Sequence, residues 1–136
     1  MAKQGSCLCG KIRISYEGEP VGQLTCHCLD CHKISGSTYS TNILVPGSRF
    51  KLLSGTPKTF TKVAGSGKEI TSYFCGDCGS TLWRETPSFG DNKIVKVGVV
   101  DDLNALNEAK PVTELYTKHR ASWVPEIPGA VQQSQQ

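Results

Sequence analysis

Residues 26–31 read Cys-His-Cys-Leu-Asp-Cys, and this stretch is the densest of three cysteine groups in the chain. The other two groups are Cys7-x-Cys9 and Cys75-x-x-Cys78. A C-x-C pair on an extended segment places both side chains on one face, and a C-x-x-C pair in a turn brings both sulfurs to one ion. The three groups together predict a small fold that is held together by metal.

The spacing favours a division of the seven cysteines into four and three. Four cysteines from the two outer groups make a closed tetrahedral site, which is typical of structural zinc, and three leave a fourth position open, which is typical of catalytic zinc. Soft thiolates select zinc over hard cations. The two sets are Cys7, Cys9, Cys75 and Cys78 for the closed site, and Cys26, Cys28 and Cys31 for the open one.

The spacing alone leaves two alternatives open. Cys28 and Cys31 with Cys75 and Cys78 would also make an ordinary zinc ribbon, with the other three cysteines as spare thiols. Thiol–disulfide chemistry is the second alternative, although Cys75-x-x-Cys78 lacks the βαβ setting of a thioredoxin motif.

Length and composition predict one domain in a reducing compartment. The chain has 136 residues, its cysteine count is odd, and no apolar run follows its first residues, so we expect a cytoplasmic protein with reduced thiols. No segment has the roughly 18 apolar residues of a membrane span. The formal charge is +3. Zinc with four thiolates carries about −2 and zinc with three about −1, so the loaded protein would be close to neutral.

Alternating polar and apolar residues between turn signals predict an all-β domain with one or two short helices. The domain is predicted over residues 5–125, and residues 126–136 are predicted to be a mobile polar tail. Short helices are expected within 29–35 and 102–109, the second capped by Asp102. The predicted strands lie within 11–16, 37–45, 50–53, 59–63, 69–74, 81–85 and 94–100.

Three motifs resemble the glutathione-dependent formaldehyde-activating enzyme family, which includes the C-terminal domain of centromere protein V. The resemblance implies a small two-sheet β-tent, a structural zinc with four cysteine ligands, and a catalytic zinc with three cysteines and an exchangeable fourth ligand. It also implies glutathione as co-substrate and carbon–sulfur lyase chemistry, with S-hydroxymethylglutathione formation as the named example. The motifs are Gly5-Ser6-Cys7-Leu8-Cys9-Gly10, Cys26-His27-Cys28-Leu29-Asp30-Cys31-His32-Lys33 and Phe74-Cys75-Gly76-Asp77-Cys78-Gly79-Ser80.

Such a reaction needs groups that move a proton, and the sequence offers His27, His32 and Tyr39 near the open site. His27 could equally orient a ligand from behind, and His32 could be a solvated surface residue. Family members often have Arg or Gln at the position of His32, which leaves the substrate open. Lys33 is the candidate for binding a glutathione carboxylate. The segment 116–123 is either a pocket wall or a cover over the end of the sheet.

The leading hypothesis is therefore a zinc-dependent carbon–sulfur lyase whose partner is a small-molecule thiol adduct. The alternative is a non-catalytic, zinc-stabilised binding module of the centromere protein V type. No basic stripe interleaved with aromatic residues appears, so neither a nucleic-acid nor a membrane partner is expected. The sequence leaves a homo-oligomer open.

Overall fold

Residues 2–136, the part of the chain that the computed structural model describes, form eleven strands and two short helices. The prediction of an all-β fold is confirmed. The strands are β1 (Ala2–Ser6), β2 (Arg13–Glu17), β3 (Gly22–Cys26), β4 (Ser40–Pro46), β5 (Phe50–Ser54), β6 (Lys58–Val63), β7 (Glu69–Phe74), β8 (Thr81–Glu85), β9 (Asn92–Lys96), β10 (Thr113–Leu115) and β11 (Val131–Gln132). The helices are α1 (Leu29–Ser35) and α2 (Ala105–Glu108).

The strands are divided between two sheets. The small sheet has the order β1-β2-β5, and the large sheet has the order β11-β10-β3-β4-β9-β8-β7-β6. Pairing is antiparallel throughout both sheets, except that β10 runs parallel to β3 on one side and to β11 on the other. The hairpin β6–β7 forms one edge of the large sheet, and a turn over residues 64–68 lies at its tip.

The main core lies between the two sheets. Ile14 of β2 faces Ile43 of β4 and Val95 of β9 in this core, and all three side chains are at most 2% exposed. The Trp83 ring stacks on Tyr73, with centroids 4.5 Å apart and planes inclined by 6°. Full burial of each such side chain contributes roughly 1.5–3 kcal/mol.

The opposite face of the large sheet carries a second, smaller apolar cluster. Because side chains alternate along a strand, Ile94 and Leu44 point to this face while their neighbours enter the main core. Leu24 and Leu115 join them, and Cys26 belongs to the same cluster. This second face is where the cavity described below is found.

Each of the seven predicted strand segments contains a strand, and the largest difference in a boundary is at the end of the last one. The run 94–100 ends as a strand at Lys96, because Val97–Val99 forms a 3-10 turn. Helix α1 forms as predicted. Helix α2 begins at Ala105, and its expected cap, Asp102, instead accepts a hydrogen bond from the Asn104 N–H at 2.9 Å.

Residues 126–136, which the sequence predicts to be a mobile tail, are partly paired with the large sheet in the structure. Strand β11 pairs with β10, and the Gln133 N–H donates to the Glu114 carbonyl at 2.9 Å. The Ile127 N–H donates to the Glu114 carboxylate at 2.9 Å. A buried carboxylate needs donors, and this segment supplies them, which a polar composition alone did not indicate.

Helix α1, with seven residues, is the longest helix in the described chain. No helix among residues 2–136 is long and apolar enough to cross a membrane.

Candidate functional site

The outer four cysteines converge where the end of β1 meets the loop between β7 and β8. The Sγ atoms of Cys7 and Cys9 are 3.6 Å apart, and those of Cys9 and Cys75 are 3.7 Å apart. Together with Cys78, all four sulfurs lie within 4.8 Å of one another. Zinc–sulfur bonds of about 2.3 Å in a tetrahedron require sulfurs about 3.8 Å apart. These residues therefore fit a closed zinc site.

Backbone amides and turns shape this four-cysteine group. The Ile12 N–H donates to Cys7 Sγ at 3.3 Å, and the Cys78 N–H donates to Cys75 Sγ at 3.4 Å. The Ser80 hydroxyl and backbone N–H lower the pKa of Cys78 to about 5. Gly79 follows with φ of +79°, a conformation that residues with a Cβ rarely adopt.

The inner three cysteines lie at the junction of β3 and α1. Cys26 ends β3, and Cys28 is the N-cap of α1, where its Sγ accepts the Cys31 N–H at 3.3 Å. The three sulfurs lie within 4.8 Å of one another. The two groups of four and three cysteines are those predicted from the sequence, and the ribbon alternative does not match this arrangement.

The chemistry of the inner group calls for a cation. The thiols of Cys26 and Cys28 donate to Cys31 and lower its pKa to about 2, while the shared hydrogen bonds to Cys28 and Cys31 raise the pKa of Cys26. Three thiolates within 4.8 Å of one another repel unless a positive charge lies among them. A soft divalent ion would allow all three to be thiolates, so these residues fit zinc.

The two groups differ in what they connect. The outer group joins the small sheet, through Cys7, to the large sheet, through Cys75. The inner group holds together one strand and the helix that directly follows it. Loss of metal from the outer group would therefore remove a cross-link between the sheets, whereas loss from the inner group would affect one local junction.

A cavity of about 310 Å³ opens beside the inner group and is lined by Cys26, Cys28 and Cys31. The outer group does not line it. Its walls are mostly apolar, and the tip of the β6–β7 hairpin forms one side. Lys62 of that hairpin donates to Asp30 of α1 at 2.9 Å, which ties the hairpin to the helix. The apolar wall consists of Leu24, Leu29, Ile70, Phe89, Ile94 and Leu115.

Two cationic side chains that the sequence analysis missed also line the cavity. Arg84 of β8 is 4% exposed and donates through Nε to Ser72 Oγ at 2.9 Å. Lys96 of β9 donates to Asn42 Oδ1 at 2.7 Å, and burial lowers its pKa. Both residues lie on predicted strands at positions that alternate with apolar ones. Alternation along a strand indicates that these side chains lie on the second face of the sheet, but it does not indicate what lies against that face.

The proton-transfer candidates from the sequence lie outside the cavity lining. His27 is fully buried, its Nε2 is 2.9 Å from Glu114 Oε1, and its ring centroid is 5.2 Å from that of Tyr39. His32 and Lys33 lie on α1, where Lys33 is exposed. The structure thus brings the three cysteines together at the cavity without these four residues, whose roles stay predictions.

Glu114 is a further residue that the sequence analysis missed. Its carboxylate is 1% exposed and accepts from His27, from Arg120 at 3.0 Å, from Gln132 at 2.8 Å and from the Ile127 N–H. Burial raises its pKa, but these donors outweigh burial and lower the pKa to about 2. His27 lies between Cys26 and Cys28 in the sequence, so its hydrogen bond to the Glu114 carboxylate fixes the backbone that carries these two cysteines.

Part of the segment 116–123 forms a wall of the cavity, which is the first of the two predicted alternatives. Tyr116 and His119 line the cavity, whereas Arg120 binds Glu114 and Trp123 is 75% exposed. Tyr116 is the one non-glycine residue in the described chain with positive φ, at 55°. Such backbone strain is found most often where the surrounding structure holds a functional wall in place.

Comparison with known proteins agrees with this arrangement. A family model described as glutathione-dependent formaldehyde-activating enzyme matches residues 2–119. The crystal structure of a Rhodobacter sphaeroides protein is similar in fold, with a TM-score of 0.62 and 18% sequence identity over 79% of this chain and 96% of that chain. At this identity the likeness shows the fold alone. No curated protein sequence matches the chain significantly.

Proposed function

Because the chain belongs to the glutathione-dependent formaldehyde-activating enzyme family, we propose that it is a zinc-dependent carbon–sulfur lyase. Its substrate would be the adduct of a thiol, glutathione being the first candidate, with formaldehyde or another electrophile. The observation that carries the proposal is the position of the inner cysteines. Their sulfurs line a cavity, whereas the outer four form a closed group away from it.

Cys26, Cys28 and Cys31 would hold the zinc, which would stabilise a substrate sulfur as a thiolate near neutral pH. The chain itself supplies the surroundings. The apolar wall limits the access of water to the reacting carbon. The hydrogen bond from Lys62 to Asp30 ties the β6–β7 hairpin to helix α1 beside the cavity. A cavity of about 310 Å³ is of the size that takes small-molecule ligands.

The reaction balances without an oxidant or reductant. In the synthetic direction the thiol sulfur bonds to the aldehyde carbon, the thiol loses one proton, and the former carbonyl oxygen gains one. In the lyase direction the carbon–sulfur bond breaks and the proton returns. The protein needs only one group that accepts and releases that proton beside the cavity.

His119 is the histidine of the described chain that lines the cavity, and we assign the proton transfer to it. A histidine side chain can both donate and accept a proton near neutral pH. His27, His32 and Tyr39 remain competing predictions. His119→Gln should slow the reaction about a hundredfold, whereas His32→Gln and Tyr39→Phe should leave it near the wild-type rate. If His32→Gln or Tyr39→Phe slows the reaction and His119→Gln does not, proton transfer belongs to a residue beside the cysteines and not to His119.

The proposed activity is tested by following ¹³C-formaldehyde exchange with glutathione by NMR. The zinc-loaded protein should accelerate exchange over buffer, and Cys28→Ala should abolish the acceleration while circular dichroism shows an intact fold. Acceleration that survives Cys28→Ala would contradict the proposal. A non-catalytic binding module would bind zinc without accelerating the exchange, so the same measurement separates the two functions.

The thiol chemistry requires reduced cysteines, so we propose a cytoplasmic location.

A further inference from the structure

We propose that Arg84 and Lys96 form a carboxylate-binding subsite in the cavity, so that the adduct processed beside the inner cysteines carries a carboxylate close to its carbon–sulfur bond. This inference rests on the proposed function. It names the chemical class of the substrate and the residues that recognise it. The carboxylate could belong either to the thiol or to the electrophile, and the experiment below separates these two sources.

The strand register places both cations on the face of the large sheet that carries the inner cysteines. Arg84 pairs with Ile94 across β8 and β9, and Lys96 pairs with Asn42 across β9 and β4. Ile94 belongs to the apolar cluster that also contains Cys26 and Cys31. Arg84 and Lys96 both line the same cavity as these sulfurs.

Neither cation pairs with a carboxylate among residues 2–136, although the charge of Lys96 also acts on the inner cysteines, where it helps to lower the pKa of Cys31. The eight ion pairs formed within residues 2–136 include neither Arg84 nor Lys96. Each donates instead to a neutral oxygen, Arg84 to Ser72 and Lys96 to Asn42. A charge removed from water without a partner is costly, so such side chains are retained where a ligand supplies the partner.

The guanidinium of Arg84 has donors to spare. In the described part of the chain, only its Nε donates a hydrogen bond. An arginine carries five N–H donors in a planar fork that matches the two oxygens of a carboxylate. The Ser72 hydroxyl fixes the orientation of this fork, and Lys96 adds a second positive charge at the same wall.

The other cation near the cavity mouth is already satisfied. Lys62 binds Asp30 at 2.9 Å and therefore needs no ligand anion. Lys33, the residue that the sequence suggested for a carboxylate, does not line the cavity. Among the described residues, Arg84 and Lys96 are thus the arginine and lysine side chains of the cavity lining that have no carboxylate partner.

The first arm of the test measures thiol binding to the zinc-loaded protein by calorimetry. It compares 3-mercaptopropionate with 3-mercapto-1-propanol, which is similar in size but uncharged. If the thiol carries the carboxylate, the acid should bind at least about tenfold more tightly, and Arg84→Gln and Lys96→Gln should each remove most of that preference. Lys93→Gln is the matched control, because it removes the same charge from the same strand outside the cavity.

The second arm measures adduct exchange by NMR with 3-mercapto-1-propanol as the thiol. It compares glyoxylate with glycolaldehyde, which lacks the carboxylate. If the electrophile carries the carboxylate, glyoxylate should exchange at least about tenfold faster, and the same two variants should remove the difference.

The two arms separate the possible failures. A carboxylate preference in either arm that depends on Arg84 or Lys96 supports the subsite. Neutral and acidic compounds that behave alike in both arms would overturn it while leaving the proposed function intact. No binding or exchange of any thiol would overturn the proposed function, and the subsite with it. Each variant also loses a hydrogen bond, Arg84→Gln the one to Ser72 and Lys96→Gln the one to Asn42, so either variant that keeps its fold makes the test decisive.

Discussion

Glu114 shows how one buried carboxylate can order residues that are distant in the sequence. It joins His27, which separates two inner cysteines, to Arg120 and to Gln132 of β11. Breaking a buried, multiply bonded charge is among the costlier single changes in a protein. The metal ligands of the inner site therefore depend on a residue more than 80 positions away from them in the chain.

Glu114→Gln should lower the free energy of unfolding by about 3 kcal/mol at pH 7, since the carboxyl pKa falls from its ordinary value near 4.5 to about 2 on folding. A group whose pKa is lowered in the folded state stabilises above its unfolded pKa. The difference between wild type and variant should therefore be constant from pH 7 to 5, shrink below about pH 4.5 and vanish near pH 2. Denaturant unfolding across this range checks it, and a difference that grows with acidity would be inconsistent with the assigned role.

A second prediction for a single residue concerns the stability cost of replacing Gly79. Its φ of +79° turns the chain after Cys78, so Gly79→Ala should cost about 1–2 kcal/mol. Gly98→Ala is the matched control, because Gly98 has no positive φ and an added Cβ there would meet nothing within 4 Å. Thermal unfolding of both zinc-loaded variants checks the difference. Equal costs for the two would mean that the turn tolerates a side chain.

Among the secondary-structure elements, strand β11 and the segment leading to it lie where the sequence predicts a mobile tail. Removing residues 126–136 takes away two of the donors to the buried Glu114 carboxylate, Ile127 N–H and Gln132 Nε2. We expect the melting temperature to fall by about 5 °C or more. Removing only residues 134–136 is the control, since it spares β11 and both donors. A truncation at 126 without effect on melting would show that β11 adds no stability.

Strands with alternating apolar residues could be predicted from the sequence, and those without them could not. β2 alternates Ile14 and Tyr16 with polar residues, whereas β1 reads Ala-Lys-Gln-Gly-Ser and β11 has only two residues. Such strands form because a neighbour with free backbone groups is already in place. That condition belongs to tertiary structure and leaves no local pattern.

The candidate site could likewise be predicted from the sequence only in part. Cysteine spacing could predict the ligands, because each group is local in sequence and sulfur chemistry allows few alternatives. Arg84 and Lys96 could not be predicted as cavity residues, since only the order of β8, β9 and β4 in the large sheet brings them beside the inner cysteines. Lys33, although close to the cysteines in sequence, does not line the cavity.

At the scale of the whole molecule, the two metal sites should have different consequences for stability. Zinc analysis should give two ions per chain, and a chelator should remove the inner ion first, with no change in circular dichroism. Removal of the outer ion should unfold the protein, because that site joins the two sheets. Cys28→Ala should retain the fold and one zinc, whereas Cys75→Ala should not fold. Loss of both ions in one step together with unfolding would contradict this division.

The central claim is that the inner cysteines leave a metal position open to a substrate sulfur in the cavity. The most direct test is a crystal structure of the zinc-loaded protein with glutathione, with the metal located by anomalous scattering. The account predicts a glutathione sulfur about 2.3 Å from the zinc held by Cys26, Cys28 and Cys31, with the rest of the molecule in the cavity. A fourth protein side chain on that zinc, or glutathione bound elsewhere, would contradict it.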